Sequence, residues 1–110
     1  MRFLSIFLVL VFTFLSITAS AKVVGKDVEY KSDGTTLKGY LAYDDSVKGE
    51  RPGVLVVHEW WGHNDYARAR ADKLAALGYT ALAVDMYGDA QNADHPEKAG
   101  ELAGSSLIHI

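Results

Sequence analysis

Two short apolar runs with a helical pattern between them set the tightest limit on what this chain can become. Val54-Leu55-Val56-Val57 is apolar without alternation, and Tyr79 to Val84 is nearly so. Such runs predict strands covered on both faces. Between them Ala67, Ala71, Leu74 and Leu77 fall at helical spacing, with Arg68, Arg70, Asp72 and Lys73 toward solvent. Asn64 or Asp65 can cap the helix start, Asp65 also meeting the positive end of the dipole, and Gly78 occupies the position just past the end. Strand, helix and strand within about 32 residues make a βαβ unit, whose crossover is expected to be right-handed. Ligands of such sheets gather beyond the carboxyl ends of the strands. Both His58-Glu59-Trp60-Trp61-Gly62 and Asp85-Met86-Tyr87-Gly88 stand there.

Upstream, Lys26 to Lys31 alternates polar and apolar, Ser32-Asp33-Gly34-Thr35 is a turn cluster, and Thr36 to Tyr43 resumes the extended pattern. Residues 26–43 therefore read as an antiparallel hairpin. Asp44 to Pro52 is polar and broken by Gly49 and Pro52, a surface loop. Downstream, Asp94-His95-Pro96-Glu97 predicts a capped helix start with Pro in its first turn, and Gly100 and Gly104 predict that this helix is cut short. The fold class is α/β: a hairpin followed by one βαβ unit.

The first 21 residues read as an address. Met1-Arg2 is a short basic start, Phe3 to Thr18 is almost wholly apolar, and Ala19-Ser20-Ala21 is the small-x-small pattern at which leader peptides are cut. Cleavage is expected after Ala21, giving an exported, periplasmic or extracellular protein with no stable membrane insertion; an uncleaved anchor is the alternative. The domain is then residues 22–110. Arg2 leaves with the leader, so the net charge of −3 becomes −4, a balance that disfavours nucleic acid and acidic membranes as partners. With no cysteine, the exported part is held by packing alone. A chain of this size buries only about 60% of its unfolded surface, so its core is marginal.

His58, Glu59 and His63 invite a metal reading, but a helical zinc site needs histidines one turn apart in H-E-x-x-H, and here position 62 is Gly and His63 falls one residue late. Adding Asp65, Asp85 or His95 supplies ligand types without a recognised spacing, so no metal is expected. The turn after Val57 has one glycine and two tryptophans, which suits no phosphate-cradling loop. Trp60 and Trp61 taken alone read as packing residues, one under the helix and one against a neighbouring loop. Glu59 is costly at the mouth of a buried strand unless solvated or partnered, and His58 reads as a hydrogen-bonded structural histidine rather than a base.

The stretch V-L-V-V-H-E-W-W-G-H-N-D-Y-A-R-A-R-A-D-K-L-A-A-L-G-Y-T-A-L-A-V-D-M-Y-G resembles the N-terminal part of the dienelactone hydrolase family, within the α/β-hydrolases. E-Y-K-S-D-G-T-T-L-K-G-Y-L-A-Y resembles that family's opening hairpin, and the match runs from about Val28 to Ala103. The resemblance implies an ester or lactone hydrolase that forms a covalent acyl-enzyme and uses no cofactor. It implies the Trp60 backbone N–H as one oxyanion donor, an interaction worth roughly 3–4 kcal/mol of barrier, and Glu59 as the acid that controls ionisation of the nucleophilic thiol. Gly62 lets the chain turn into the helix, and Val84 replaces the family's common Pro.

The family's nucleophile stands at a G-x-C-x-G or G-x-S-x-G elbow, followed by Asp and then His. This sequence has no Cys, and its one G-x-S, Gly104-Ser105-Ser106, has no strand before it and no closing glycine. The nucleophile and the triad Asp and His are thus absent from residues 1–110. The expected sheet is incomplete, with the outer edge of the strand at Val54–Val57 unpaired and one face bare. The chain accordingly reads as an N-terminal fragment, inactive alone, of an exported hydrolase acting on a small-molecule ester or lactone. A small exported non-catalytic binding module with an aromatic patch of Trp60, Trp61, Tyr66 and Tyr87 is the alternative.

Overall fold

The computed structural model describes residues 20–106. The expected leader falls almost wholly outside these residues. Six elements follow in order: β1 (Val23–Ser32), β2 (Thr35–Asp44), β3 (Gly53–Val56), α1 (Asp65–Ala76), β4 (Thr80–Ala83) and α2 (Pro96–Ser106). They form one four-stranded sheet in the order β1-β2-β4-β3, with β3 parallel to β4 and the other pairs antiparallel.

The hairpin runs beyond 26–43, pairing Val23 with Asp44 at one end and Ser32 with Thr35 at the other. Backbone pairing does not need the side-chain alternation that marks the middle. Asp33 and Gly34 both take positive φ, 48° and 79°, as a two-residue turn matched to the strand twist requires. Asp44 closes the open end and is buried. Its Oδ1 accepts from Ser46 Oγ at 2.6 Å, Ser46 N at 2.8 Å and Lys22 N at 3.1 Å. The Ser46 hydroxyl, then its N–H, hold the carboxyl below its ordinary 3.8.

Helix α1 is capped by Asn64, whose side chain accepts from the Ala67 N–H at 3.2 Å. It ends at Leu77, with the Gly78 N–H bonded to the Ala75 carbonyl. The face against the sheet is Ala67, Ala71 and Ala75; Leu77, expected to point inward, is 76% exposed because it lies past the last helical turn. Arg68 and Asp72, expected in solvent, lean over the sheet instead. The Tyr40 hydroxyl donates to Asp72 at 2.8 Å, while Arg68 lies 5.0 Å from the Tyr40 ring centre and pairs with Asp27 at 2.6 Å. The helix is thereby tied to both hairpin strands.

The core cluster is six alanines (42, 67, 71, 75, 81 and 83) with Tyr40, Val56 and Leu74 packed on it. Small side chains let helix and sheet approach closely, but each buried methyl-sized group contributes only about 0.8 kcal/mol. The core is thin, as the length implied. β3 is covered on one face only, as an incomplete sheet implies and its unalternating apolar run alone does not: Leu55 is 68% and Val57 62% exposed. The sheet order also leaves its outer edge without a partner strand among the described residues. Helix α2 corrects the other prediction, running eleven residues through Gly100 and Gly104. A glycine costs about 1 kcal/mol in a helix without forbidding it, and Ala99 and Leu102 are buried on one side. No helix among the described residues is long and apolar enough to cross a membrane.

Candidate functional site

The loop after β3 doubles back at once. The Gly62 N–H donates to the Glu59 carbonyl at 3.0 Å, closing a four-residue turn over Glu59–Gly62. Gly62 has φ 104° and forms an isolated bridge with Asn92, while the Ala93 N–H donates to the Trp61 carbonyl at 2.8 Å. The turn is therefore laced to the loop that follows β4.

Side chains fix the two carbonyls at its tip. The Met86 N–H donates to His58 Nε2 at 3.1 Å, so the neutral ring carries its proton on Nδ1, which faces the Glu59 carbonyl oxygen at 2.6 Å. The Tyr87 hydroxyl donates to the Trp60 carbonyl at 2.6 Å. Tyr87 is buried, which pushes its phenol above the ordinary 10.0, and its ring meets His58 edge-on at 4.7 Å. His58 is thus a hydrogen-bonded structural residue, as its position at the strand end suggested. The Glu59 carbonyl accepts twice, from His58 and Gly62. The other end of the same peptide unit, the Trp60 N–H, has no acceptor among the described residues.

Replacing Tyr87 by Phe keeps the ring in place and leaves the Trp60 carbonyl without its donor. The expected loss is about 1–2 kcal/mol, read as a lower urea midpoint at unchanged slope. A midpoint equal to the parent's would mean that water serves this carbonyl equally well.

Behind the turn, Asp85 is 1% exposed. Its Oδ1 accepts from the N–H groups of Tyr87 (3.1 Å) and Gly88 (3.0 Å), and its Oδ2 from those of Lys38 (2.9 Å) and Ala90 (2.8 Å). Its own N–H donates to the Tyr30 hydroxyl. His63 is also buried; its Nδ1 faces the Val84 carbonyl at 3.2 Å and its Nε2 accepts from Arg68 Nε at 3.3 Å. Neither residue is left to bind a ligand. Among the described residues no group of three or more His, Asp or Glu is placed to hold a metal.

Glu59 is exposed, and its carboxylate has no partner among the described residues. It lines a groove of about 560 Å³ with Val57, Trp61, Tyr66 and Arg70, between the end of β3 and the start of α1. Trp60 is 45% exposed and Trp61 partly buried, with ring centres 5.2 Å apart, so neither sits fully under the helix or a loop. The aromatic patch considered from sequence loses Tyr87, which is inside and engaged with Trp60. Gly104-Ser105-Ser106 lies within α2, and Ser105 Oγ donates to the Leu102 carbonyl, the position of a helical serine and not of an elbow.

Residues 37–107 match the Dienelactone hydrolase family. The chain belongs to that family. Over 82 residues it is 40% identical to a curated protein of Aquifex aeolicus (strain VF5), named provisionally as a carboxymethylenebutenolidase, covering 72% of this chain and 34% of that protein. It superposes on the solved structure named m3DLH with a TM-score of 0.73 at 36% identity, over 78% of this chain and 36% of the other. It superposes likewise, at 0.72 and 38% identity over 80% and 38%, on a dienelactone hydrolase-like promiscuous phosphotriesterase from metagenomic libraries, P91. The chain spans about a third of the length of the curated relatives it matches. Its sheet is the N-terminal part of an α/β-hydrolase sheet, incomplete by itself.

The sequence pointed to the loop after β3 but missed what holds it. Asp85 carried a local signal, an Asp at a strand end with Gly three residues on, as in side-chain-capped turns. The contacts of Tyr87 and His58 carried none, since each joins segments some 27 residues apart.

Proposed function

We propose that these residues belong to an exported ester or lactone hydrolase that works through a covalent acyl-enzyme. In this reading the Trp60 N–H is one oxyanion donor and Glu59 is the acid beside the nucleophile. The nucleophile, the triad Asp and the triad His lie outside residues 1–110. One observation carries the reading. The Glu59–Trp60 peptide is fixed through its oxygen by two donors, and its N–H is left open at the carboxyl end of a parallel strand. A preorganised donor of this kind stabilises charge in a tetrahedral intermediate without reorganising. Acyl transfer of this kind needs no metal or organic cofactor, and the negative charge argues against nucleic acid as a partner. The Ala19-Ser20-Ala21 pattern supports export, and with cleavage after Ala21 the domain would be residues 22–110.

The test is to read the gene beyond codon 110 in all three frames and assay the product on p-nitrophenyl acetate. The expected result is a G-x-C-x-G or G-x-S-x-G elbow, then Asp and His, with turnover and an acyl mass increment on the elbow residue. The 110-residue chain alone is expected to be silent. Unrelated sequence downstream, or turnover by the short chain that a substitution within it abolishes, would overturn the proposal.

A further inference from the structure

We propose that removal of the leader creates an ion pair that locks the hairpin: the new α-ammonium of Lys22 on the carboxylate of Asp44. This inference rests on the export part of the reading above and not on the hydrolase part. Water adds across the Ala21–Lys22 amide under a leader-cleaving protease. Ala21 departs with a carboxylate, and Lys22 keeps the nitrogen, which takes up a proton and becomes –NH3+.

In the uncut chain that nitrogen is an amide N–H donating to Asp44 Oδ1 at 3.1 Å. The acceptor is already built. Asp44 is buried, and Oδ1 is set by the Ser46 hydroxyl and N–H. Asp44 Oδ2 accepts from no group among the described residues, which leaves an acceptor for a second ammonium proton. Lys22 is held on its other side too, since the Asp45 N–H donates to its carbonyl at 2.9 Å. The Asp44 carboxylate already accepts from the amide N–H; cleavage puts a positive charge on that donor and so turns the hydrogen bond into a hydrogen-bonded ion pair, with the hairpin strands left in place.

The charged neighbours are few. Asp45 lies 3.9 Å from Lys22 Nζ, and Arg51 reaches the Asp44 backbone carbonyl at 2.6 Å and the Val47 carbonyl. Both carboxylates favour the ammonium. Arg51 and the Lys22 Nζ ammonium oppose it; the guanidinium is held on backbone oxygens and keeps its charge.

The signs follow directly. The α-amino group gains a partner on folding, so its folded pKa rises. Its contribution is full below the ordinary value of about 7.7–8.0 and fades as pH rises through the folded value. The Asp44 carboxyl is lowered, so its contribution is full above 3.8 and fades as pH falls through the folded value. The pair contributes fully between the two.

The test uses the exported species isolated from its host. N-terminal sequencing is expected to begin at Lys22, and NMR titration is expected to place its α-amino group about one unit above the ordinary value. Asp44→Asn should return it to the ordinary value, and a chain that retains Ala21 should lose the fall in urea midpoint above pH 8. A different N-terminus overturns the leader reading and this pairing together. A Lys22 start with an ordinary α-amino titration in parent and Asp44→Asn alike overturns the pairing alone.

Discussion

Asp85→Ala is expected to remove most of the folding stability of this chain at 25 °C. Four backbone N–H groups, from Lys38, Tyr87, Gly88 and Ala90, converge on one carboxylate that is almost fully buried. Each hydrogen bond to a charged acceptor contributes about 1.5–3 kcal/mol, and a buried donor left alone costs about 1–3 kcal/mol. Even with water reaching two of the four, the loss is about 4 kcal/mol, the range in which single substitutions become diagnostic. A domain this small has a total stability on the order of 5 kcal/mol. The check is a urea titration followed by tryptophan fluorescence, with amide dispersion by NMR as a second readout. Asp85→Asn keeps one acceptor oxygen but turns an NH2 toward two donors, so it should recover only part of the loss. A variant within about 1 kcal/mol of the parent would show that the loop does not depend on this carboxylate.

The second large effect is expected at Gly62. An alanine Cβ there would stand 2.3 Å from the Gln91 carbonyl oxygen and 3.1 Å from the Asn92 Cα, both backbone atoms that cannot swing aside. The φ of 104° adds strain of its own. The turn must then part from the segment at Asn92, at an expected loss of about 3 kcal/mol or more. Gly62→Asn should do no better, because asparagine's tolerance of positive φ leaves the collision unchanged. Gly34 is the control: its φ is also positive, but nothing lies within 4 Å of a Cβ built there, so Gly34→Asn should cost well under 1 kcal/mol. Equal losses at the two positions would mean that backbone dihedral, not collision, governs the turn.

The local features were legible in the sequence. The hairpin turn at Asp33-Gly34, the Asn64 cap, the end at Gly78 and the parallel pairing of the two apolar runs rest on short-range rules of φ, capping and periodicity. The apolar run of β3 reports what a strand can bury and not what is there to bury it; its bare face was legible only through the resemblance, which implied an incomplete sheet. The exposure of Leu77 was not legible because helical spacing continues past the last turn in the sequence, and the lean of Arg68 and Asp72 was not because their partners Asp27 and Tyr40 are distant in the chain. Gly100 and Gly104 suggest breaks because helix propensity is local, whereas the burial of Ala99 and Leu102 that offsets it is set by the fold. At the candidate site the sequence located Glu59 and Trp60. The supports of their peptide link distant segments and have no periodic signature.

The strand order has a consequence for the timing of assembly. β4 lies between β2 and β3, although β3 is made first. The hairpin can zip as soon as Asp44 is available, since its pairing is purely local. β3 has no strand to join until Ala83 has been added, and until then neither of its edges has a partner strand among the described residues. Any interruption of synthesis between residues 57 and 83 therefore strands an apolar, unpaired segment next to a finished hairpin. That interval is when the nascent chain most needs a chaperone.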